Sequence, residues 1–294
     1  MKVYTPKYST EMNRILAEKM DQLHEFGVLR RPEELGISVE FVSPCLVVPK
    51  GDGDGYRLVT DFSALNVHVK KFPSTSPTIA QAKIALASKK YHIHMDLANY
   101  FYQSGVRKED AQYLGVMHPF KGLLVYVVRP QGLKNASEQA YETLAKVFGD
   151  MVMDGKMTRM ADGLFVLADS IVELLDNFQE ALTRIKNSNL TLKPSKLIIV
   201  PRETIVFGWS LKDGKWSPTE HTIVTLSRAE LPSTVKKLRS FLGSVKQLTD
   251  CMERYAELMS PMEKMVAGRQ SAERLVWSDE DKKHFENVKI TVAN

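Results

Sequence analysis

Two aspartates stand where carboxylates can meet a divalent cation. Asp96 follows the alternating run Tyr91-His92-Ile93-His94-Met95, and Asp162 precedes the apolar run Leu164-Phe165-Val166-Leu167. Such runs predict strands, so each carboxylate falls at a strand end. Hard oxygen donors brought together from two strands could converge on divalent metal ions. The same residues also serve as plain strand-terminal caps in turns, and periodicity alone leaves both roles open.

The elements that must position them read as a mixed fold. Met12, Ile15, Leu16, Met20, Leu23 and Phe26 recur at three- and four-residue spacing, predicting a helix over 10–26 closed by Gly27. Cys45-Leu46-Val47-Val48 and Arg57-Leu58-Val59 flank Gly51-Asp52-Gly53-Asp54-Gly55, which predicts a hairpin with a tight turn. Strand patterns recur over 123–128 and 197–200, and helical periods over 136–147 and 171–185. After about Leu226 the pattern is helical only. Ser233 or Thr234 caps a helix with Val235, Leu238, Phe241, Leu242, Val245 and Leu248 on its apolar face, and a further capped helix begins near Glu280. That change predicts a domain boundary. The order is neither a regular βαβ alternation nor all strand, so the fold class is α+β.

Composition narrows the setting. The 294 residues are 44% hydrophobic and 26% charged, ordinary for a globular chain with real cores. Lys plus Arg number 40 against 35 Asp plus Glu, and a net charge of +5 permits nucleic-acid binding without arguing for it. Cys45 and Cys251 are too few for a disulfide framework or a zinc ribbon, and Cys45 sits in an apolar run that predicts a buried thiol. No apolar stretch nears the ~18 residues of a membrane span, and the first residues lack a signal-peptide apolar region. The expectation is a soluble intracellular chain with no membrane partner.

Six blocks in order then resemble the reverse transcriptases of gypsy-like long-terminal-repeat retrotransposons. Ser43-Pro44-Cys45-Leu46-Val47-Val48-Pro49-Lys50 with Arg57-Leu58-Val59-Thr60-Asp61-Phe62 is similar to the fingers hairpin. Asp96-Leu97-Ala98-Asn99-Tyr100-Phe101-Tyr102-Gln103 resembles motif A, and Arg129-Pro130-Gln131-Gly132-Leu133-Lys134-Asn135-Ala136 resembles motif B. Leu192-Lys193-Pro194-Ser195-Lys196 is similar to motif D, Phe207-Gly208-Trp209-Ser210-Leu211 to the primer grip, and Thr234 to Gly243 to the first thumb helix.

The resemblance implies a right-hand polymerase with fingers over 1–77 and 104–139, palm over 78–103 and 140–225, and thumb over 226–268. Residues 269–294 are similar to the tether toward an RNase H domain, which implies a piece of a longer polyprotein with RNase H or integrase attached. The implied activity is RNA- or DNA-templated DNA synthesis from dNTPs on a template–primer, with Mg²⁺ or alternatively Mn²⁺ as cofactor. Asp96, the Leu97 carbonyl and Asp162 would be the metal ligands. Lys50 and Arg57 would grip the triphosphate, Arg57 through a bidentate fork; their other reading is a solvated hairpin face. Phe101 takes the place of an aromatic gate that excludes a 2′-hydroxyl, or else is a core ring. Gln131 and Gly132 would border the nucleotide, unless Pro130-Gln131-Gly132 is only a turn. Lys196 would lie near the leaving pyrophosphate or be a surface lysine. Met160, Phe207, Gly208, Trp209, Lys236, Lys237 and Arg239 would follow primer and template, the last three by salt-sensitive phosphate contacts or as a merely solvated helix face.

The match breaks at Met160-Ala161-Asp162-Gly163, where the family places Tyr-x-Asp-Asp. Gly163 supplies no second carboxylate, Met160 no phenol, and Tyr100 replaces a small residue before the gate. Losing one preorganised electrostatic partner costs ~10²–10³ in rate by analogy, so the expectation is a weakened polymerase. The alternative is a noncatalytic nucleic-acid-binding scaffold. An RNA-dependent RNA polymerase fits less well, because Phe101 would obstruct ribonucleotides.

Overall fold

Apolar periodicity sets the first element of this computed structural model, which describes residues 8–50, 55–73, 78–160, 163–206 and 208–293, with the main chain alone at Met160. Helix α1 (Thr10–Glu25) buries Leu16, Ala17 and Met20 on one stripe, and the Ser9 hydroxyl caps it by accepting from the Met12 N–H at 3.2 Å. Gly27 follows at φ +72°, the left-handed closure that glycine adopts without a Cβ clash. Then come β1 (Leu29–Arg30), α2 (Pro32–Leu35) and β2 (Val42–Ser43). The predicted hairpin forms as β3 (Cys45–Pro49) and β4 (Tyr56–Thr60), with Val48 opposite Arg57; residues 51–54 of its glycine run lie outside the described residues. Lys50 falls just beyond β3 rather than on it.

Short α3 (Ser63–Asn66) and α4 (Ile79–Ala87), the latter closed by a reciprocal Thr78–Gln81 capping box, lead into β5 (Tyr91–Asp96). After it come α5 (Lys108–Ala111), β6 (Gly115–His118), β7 (Gly122–Tyr126) and the long α6 (Ala136–Met153). Strand β7 stops at Tyr126 rather than Val128, because Val127 donates to the Val28 carbonyl and Arg129 to that of Ser104, drawing the chain off the ladder. The remaining elements of this part are β8 (Met157–Met160), β9 (Gly163–Ala168), α7 (Ile171–Asn187) and β10 (Ile198–Ile199). Only two of the predicted residues 197–200 form β10; Val200 turns to φ +46° and ends it.

Two sheets result. One runs β1-β7-β6-β2, with β2 parallel to β6, and the other runs β10-β5-β9-β8, antiparallel throughout. On one face of the second, Ile93, Met95, Leu164 and Val166 pack with Leu144 and Phe148 of α6 and Leu174 of α7. Alternation therefore turns His92, His94 and Asp96 to the other face.

Compact contacts divide the chain into two units, Met1–Val200 and Pro201–Asn294. The second holds the three-stranded sheet of β11 (Thr204–Val206), β12 (Trp209–Lys212) and β13 (Lys215–Pro218), followed by α8 (Glu220–Ser227), α9 (Val235–Lys246), α10 (Tyr255–Val266) and α11 (Asp279–Ala293). The division thus falls ahead of the helix-only region and joins the β11–β13 sheet to the helices. Thr234 caps α9, whose buried face is Val235, Leu238, Phe241, Leu242 and Val245. No helix among the described residues is long and apolar enough to cross a membrane.

Candidate active site

Strand β5 delivers Asp96 as its last residue, opposite Gly163 of β9. Residues directly opposite in an antiparallel pair share a face with Cβ atoms about 4.5–5.5 Å apart. Position 163 is therefore the immediate cross-strand neighbour of Asp96, and there the second strand carries no side chain. Gly163 is also the partner of Met160 in the β8–β9 pair. Asp162 itself, with Ala161 and the Met160 side chain, lies outside the described residues.

Asp96 is only 7% exposed, and its Oδ2 lies 2.6 Å from the Nζ of Lys196. A buried carboxylate needs such a counter-charge, since desolvation penalises it heavily when bare. Lys196 arrives on a 3₁₀ turn, Pro194–Lys196, that the main chain holds against the strand end. Lys193 donates its N–H to the Asp96 carbonyl at 2.8 Å, and Ala98 donates to the Thr191 carbonyl at 2.9 Å. These bonds flank Leu97, which forms an isolated antiparallel bridge with Leu192. Burial lowers the pKa of His92, with a smaller push from His94, so the nearby imidazole on the Asp96 face is held toward its neutral form.

The chain then turns sharply. Asn99 adopts φ +44°, and Tyr100–Gln103 form a 3₁₀ helix. Tyr100 is buried and donates its hydroxyl to the Ala140 carbonyl of α6, and burial pushes that hydroxyl up to about 12. It is a core anchor. The Gln103 side chain binds the turn from the other side, donating to the carbonyls of Ala98 and Thr191 and accepting from the Thr191 N–H at 2.8 Å. Between these anchors Phe101 is half-buried, packed partly on the β5–α6 core.

A cavity of about 240 Å³ opens here, and Asp96, Leu97, Phe101, Gln131 and Lys196 all line it. Five residues singled out from sequence thus converge. Asn99 and Lys193 line it as well and were missed; both lie inside the motif A and motif D blocks, so block membership was the available signal. Asp96 is the only carboxylate among its described lining residues. A recessed carboxylate is a hard oxygen donor that suits a divalent cation.

Other predicted residues stand elsewhere. Lys50 and Arg57 are exposed on the β3–β4 hairpin and do not line the cavity. Gly132 does not line it either; its φ of +92° makes the turn, and its carbonyl accepts from Asn66 Nδ2 at 3.0 Å. Asp169, just past β9, pairs with Lys89 at 2.7 Å. In the second unit Gly208 takes φ +78°, with a Cβ there meeting Thr222 Oγ1 at 2.6 Å, while Phe207 lies outside the described residues. Trp209 is buried in the core with Leu226 and Val235, so its ring is a packing element. Lys236 and Lys237 are exposed on α9. Arg239 is tied down, donating to the carbonyls of Val266 at 2.9 Å and Arg269 at 2.7 Å.

Comparison with known proteins bears on this geometry. The family model described as reverse transcriptase (RNA-dependent DNA polymerase) matches residues 48–211. The Tf2-7 and Tf2-3 transposon polyproteins of Schizosaccharomyces pombe are each 23% identical over 272 residues, covering 92% of this chain and 20% of the polyprotein. The chain thus spans about a fifth of the length of these curated relatives. Among solved structures, a foamy viral protease-reverse transcriptase in complex with double-stranded DNA superposes with TM-score 0.84 at 18% identity, covering 100% of this chain and 50% of that one. Another, in complex with an RNA/DNA hybrid, gives 0.80 at 18% identity, covering 98% and 38%. The fold is that of the fingers, palm and thumb of these enzymes.

Proposed function

This chain belongs to the reverse transcriptase (RNA-dependent DNA polymerase) family, and from that premise we propose that it carries out template-directed DNA synthesis, weakened at Gly163. The observation that carries the reading is the convergence of Asp96, Phe101, Gln131 and Lys196 on one cavity at the end of β5. Asp96, the Leu97 carbonyl and Asp162 are the proposed holders of Mg²⁺ or Mn²⁺. Once bound, the cation supplies positive charge to the attacking and leaving oxygens of nucleotidyl transfer.

The chain's own groups do the rest. Phe101 presents a ring wall to the nucleotide sugar, which leaves no room for a 2′-hydroxyl and selects dNTPs. Gln131 offers an amide at the rim. Lys196 places its Nζ at the cavity and is the proposed donor to the departing pyrophosphate. Lys50 and Arg57 draw in the triphosphate by charge from the hairpin. Lys236 and Lys237 contact template–primer phosphates, RNA or DNA, without reading sequence. The chain acts as part of a longer retroelement polyprotein, in the cytoplasm or nucleus.

Gly163 favours a second reading, a binding scaffold that has given up catalysis. Primer extension with dNTPs and Mg²⁺ or Mn²⁺ separates the two. Weak wild-type extension, lost in Asp96→Ala and raised in Gly163→Asp, is the expected result. Salt-sensitive template–primer binding with no extension in any variant would establish the scaffold instead.

A further inference from the structure

The first unit holds a second, larger cavity of about 960 Å³ that the polymerase reading does not use. Three segments enclose it: the strap after α3 as far as Phe72, the loop into α5, and the first turns of α6. Its walls are built rather than draped. The buried Asn135 holds the strap with both ends of its amide, accepting from the Phe72 N–H at 3.0 Å and donating to the Lys70 carbonyl at 2.6 Å. Asn66 does the same next door, accepting from the Lys134 N–H at 2.7 Å and donating to the Gly132 carbonyl at 3.0 Å.

Its chemistry is two-sided. Leu65, Val69, Val106 and Leu133 supply apolar lining, and the aromatic rings of Phe72 and Tyr113 are 46% and 40% exposed. Exposed rings in a cavity are platforms, since a core ring of that size is normally covered. Around them Lys70, Arg129, Lys134 and Lys146 also line the cavity. Arg107 lines it too, but pairs with Asp110 at 2.8 Å, which leaves Glu142 as the other carboxylate of the lining. Arg129 is half-buried, and its Nη1 has no hydrogen-bond partner among the described residues. Burial lowers its pKa against the opposing pull of Tyr100 and Glu142, so an anion brought close would offset a desolvation cost already incurred.

Basic groups interleaved with exposed rings, in a volume suited to a small ligand, are the composition that binds unpaired nucleotides by stacking plus phosphate contact. We propose that this cavity binds a nucleotide, with the base against Phe72 and Tyr113 and the phosphate on Arg129 and the lysines. The nucleotide comes either from an unpaired stretch of a strand or from free solution. The proposal is independent of extension chemistry, because no residue of the Asp96 cavity takes part in it.

The test uses the full chain and three probes: a labelled duplex with a short unpaired overhang, the same duplex blunt, and 5′-dAMP. Phe72→Ala and Lys146→Glu are each expected to weaken overhang binding about tenfold while leaving blunt-duplex affinity unchanged. That pattern assigns the cavity to a strand. If instead dAMP shifts the Tyr113 ring resonances in wild type and not in Phe72→Ala, with overhang binding equal throughout, the occupant is a free nucleotide. No arm reads extension, which separates this test from failure of the polymerase reading. Variants that fold by circular dichroism yet bind both overhang and dAMP as wild type does would overturn the proposal.

Discussion

The two compact units handle charge in opposite ways. In the first, Asp96 is recessed at a strand end, paired with Lys196 and held by main-chain bonds on both sides. In the second, Lys236 and Lys237 extend from a helix whose other face, with Trp209 and Phe241, closes an apolar core. Chemistry on a reacting phosphate needs charge fixed to within a fraction of an ångström, so it is built on a sheet and braced. Following a phosphate backbone needs only charge on an accessible face, which a solvated helix provides. The first unit holds its carboxylate in place, and the second leaves Lys236 and Lys237 exposed.

Several substitutions break or sharpen that contrast. The largest effect is expected from Asp96→Ala, which should lower extension by at least ~10²–10³ with duplex affinity retained, read by primer extension beside fluorescence anisotropy. Equal loss of affinity would show that the fixed charge also serves binding and would dissolve the contrast. Gly163→Asp places a carboxylate directly across from Asp96 and should raise extension by up to the same ~10²–10³. Because two facing carboxylates repel, the same variant should melt lower than wild type in EDTA and recover with Mg²⁺, a readout that thermal denaturation supplies.

The converse variant is Lys236→Glu with Lys237→Glu. It should weaken duplex binding and flatten the slope of log affinity against log salt by about 2, with single-turnover extension of bound primer little changed. An unaltered salt slope would count the two lysines as merely solvated. Arg239→Met differs from both, since this cation is used internally. Loss of its bonds to Val266 and Arg269 should cost about 1 kcal/mol of stability in urea denaturation and leave the salt slope intact.

The smallest effect concerns α6 and α7. Arg184 reaches Asp150 at 2.5 Å and holds that carboxyl below its ordinary 3.8. A depressed folded-state pKa adds stability above the unfolded value and loses it as pH falls through the folded one. Arg184 also reaches Glu180 at 2.6 Å. Burial raises that carboxyl, but Arg184 and Lys156 together hold it below its ordinary 4.5. The melting difference between wild type and Arg184→Met should therefore be constant at neutral pH and shrink below about 4.5, as Glu180 and then Asp150 protonate. A difference that grows in acid would show that packing, not charge, is what Arg184 contributes.

Much of this arrangement was legible in the residues themselves. The period of α1, the β3–β4 hairpin, the run ending at Asp96 and the Thr234 cap of α9 are local signals, and each local preference agrees with the final fold. What stayed hidden depends on segments far apart in the chain. Only the motif D resemblance, and no local signal, suggested that Lys196 would come near Asp96, and nothing near Phe72 or Tyr113 predicts a shared cavity. Trp209 shows the opposite difficulty. Its block suggested a primer contact. Its neighbours in the chain did not announce that its ring would also pack in the core of the second unit, where burial of so large an apolar surface is favoured.

The Lys196–Asp96 pair also bears on how the chain comes to be folded at all. A site of bare carboxylates ties folding to the supply of ions, as in small metal-dependent domains that collapse when chelated. Here the protein carries its own cation, a lysine whose side chain is 54% exposed while the carboxylate it pairs with is buried. The first unit should therefore mature on the ribosome without waiting for a divalent ion, and chelation should silence it without unfolding it. Under the proposed polymerase reading, ion supply would then control when the molecule works, separate from whether it exists in folded form.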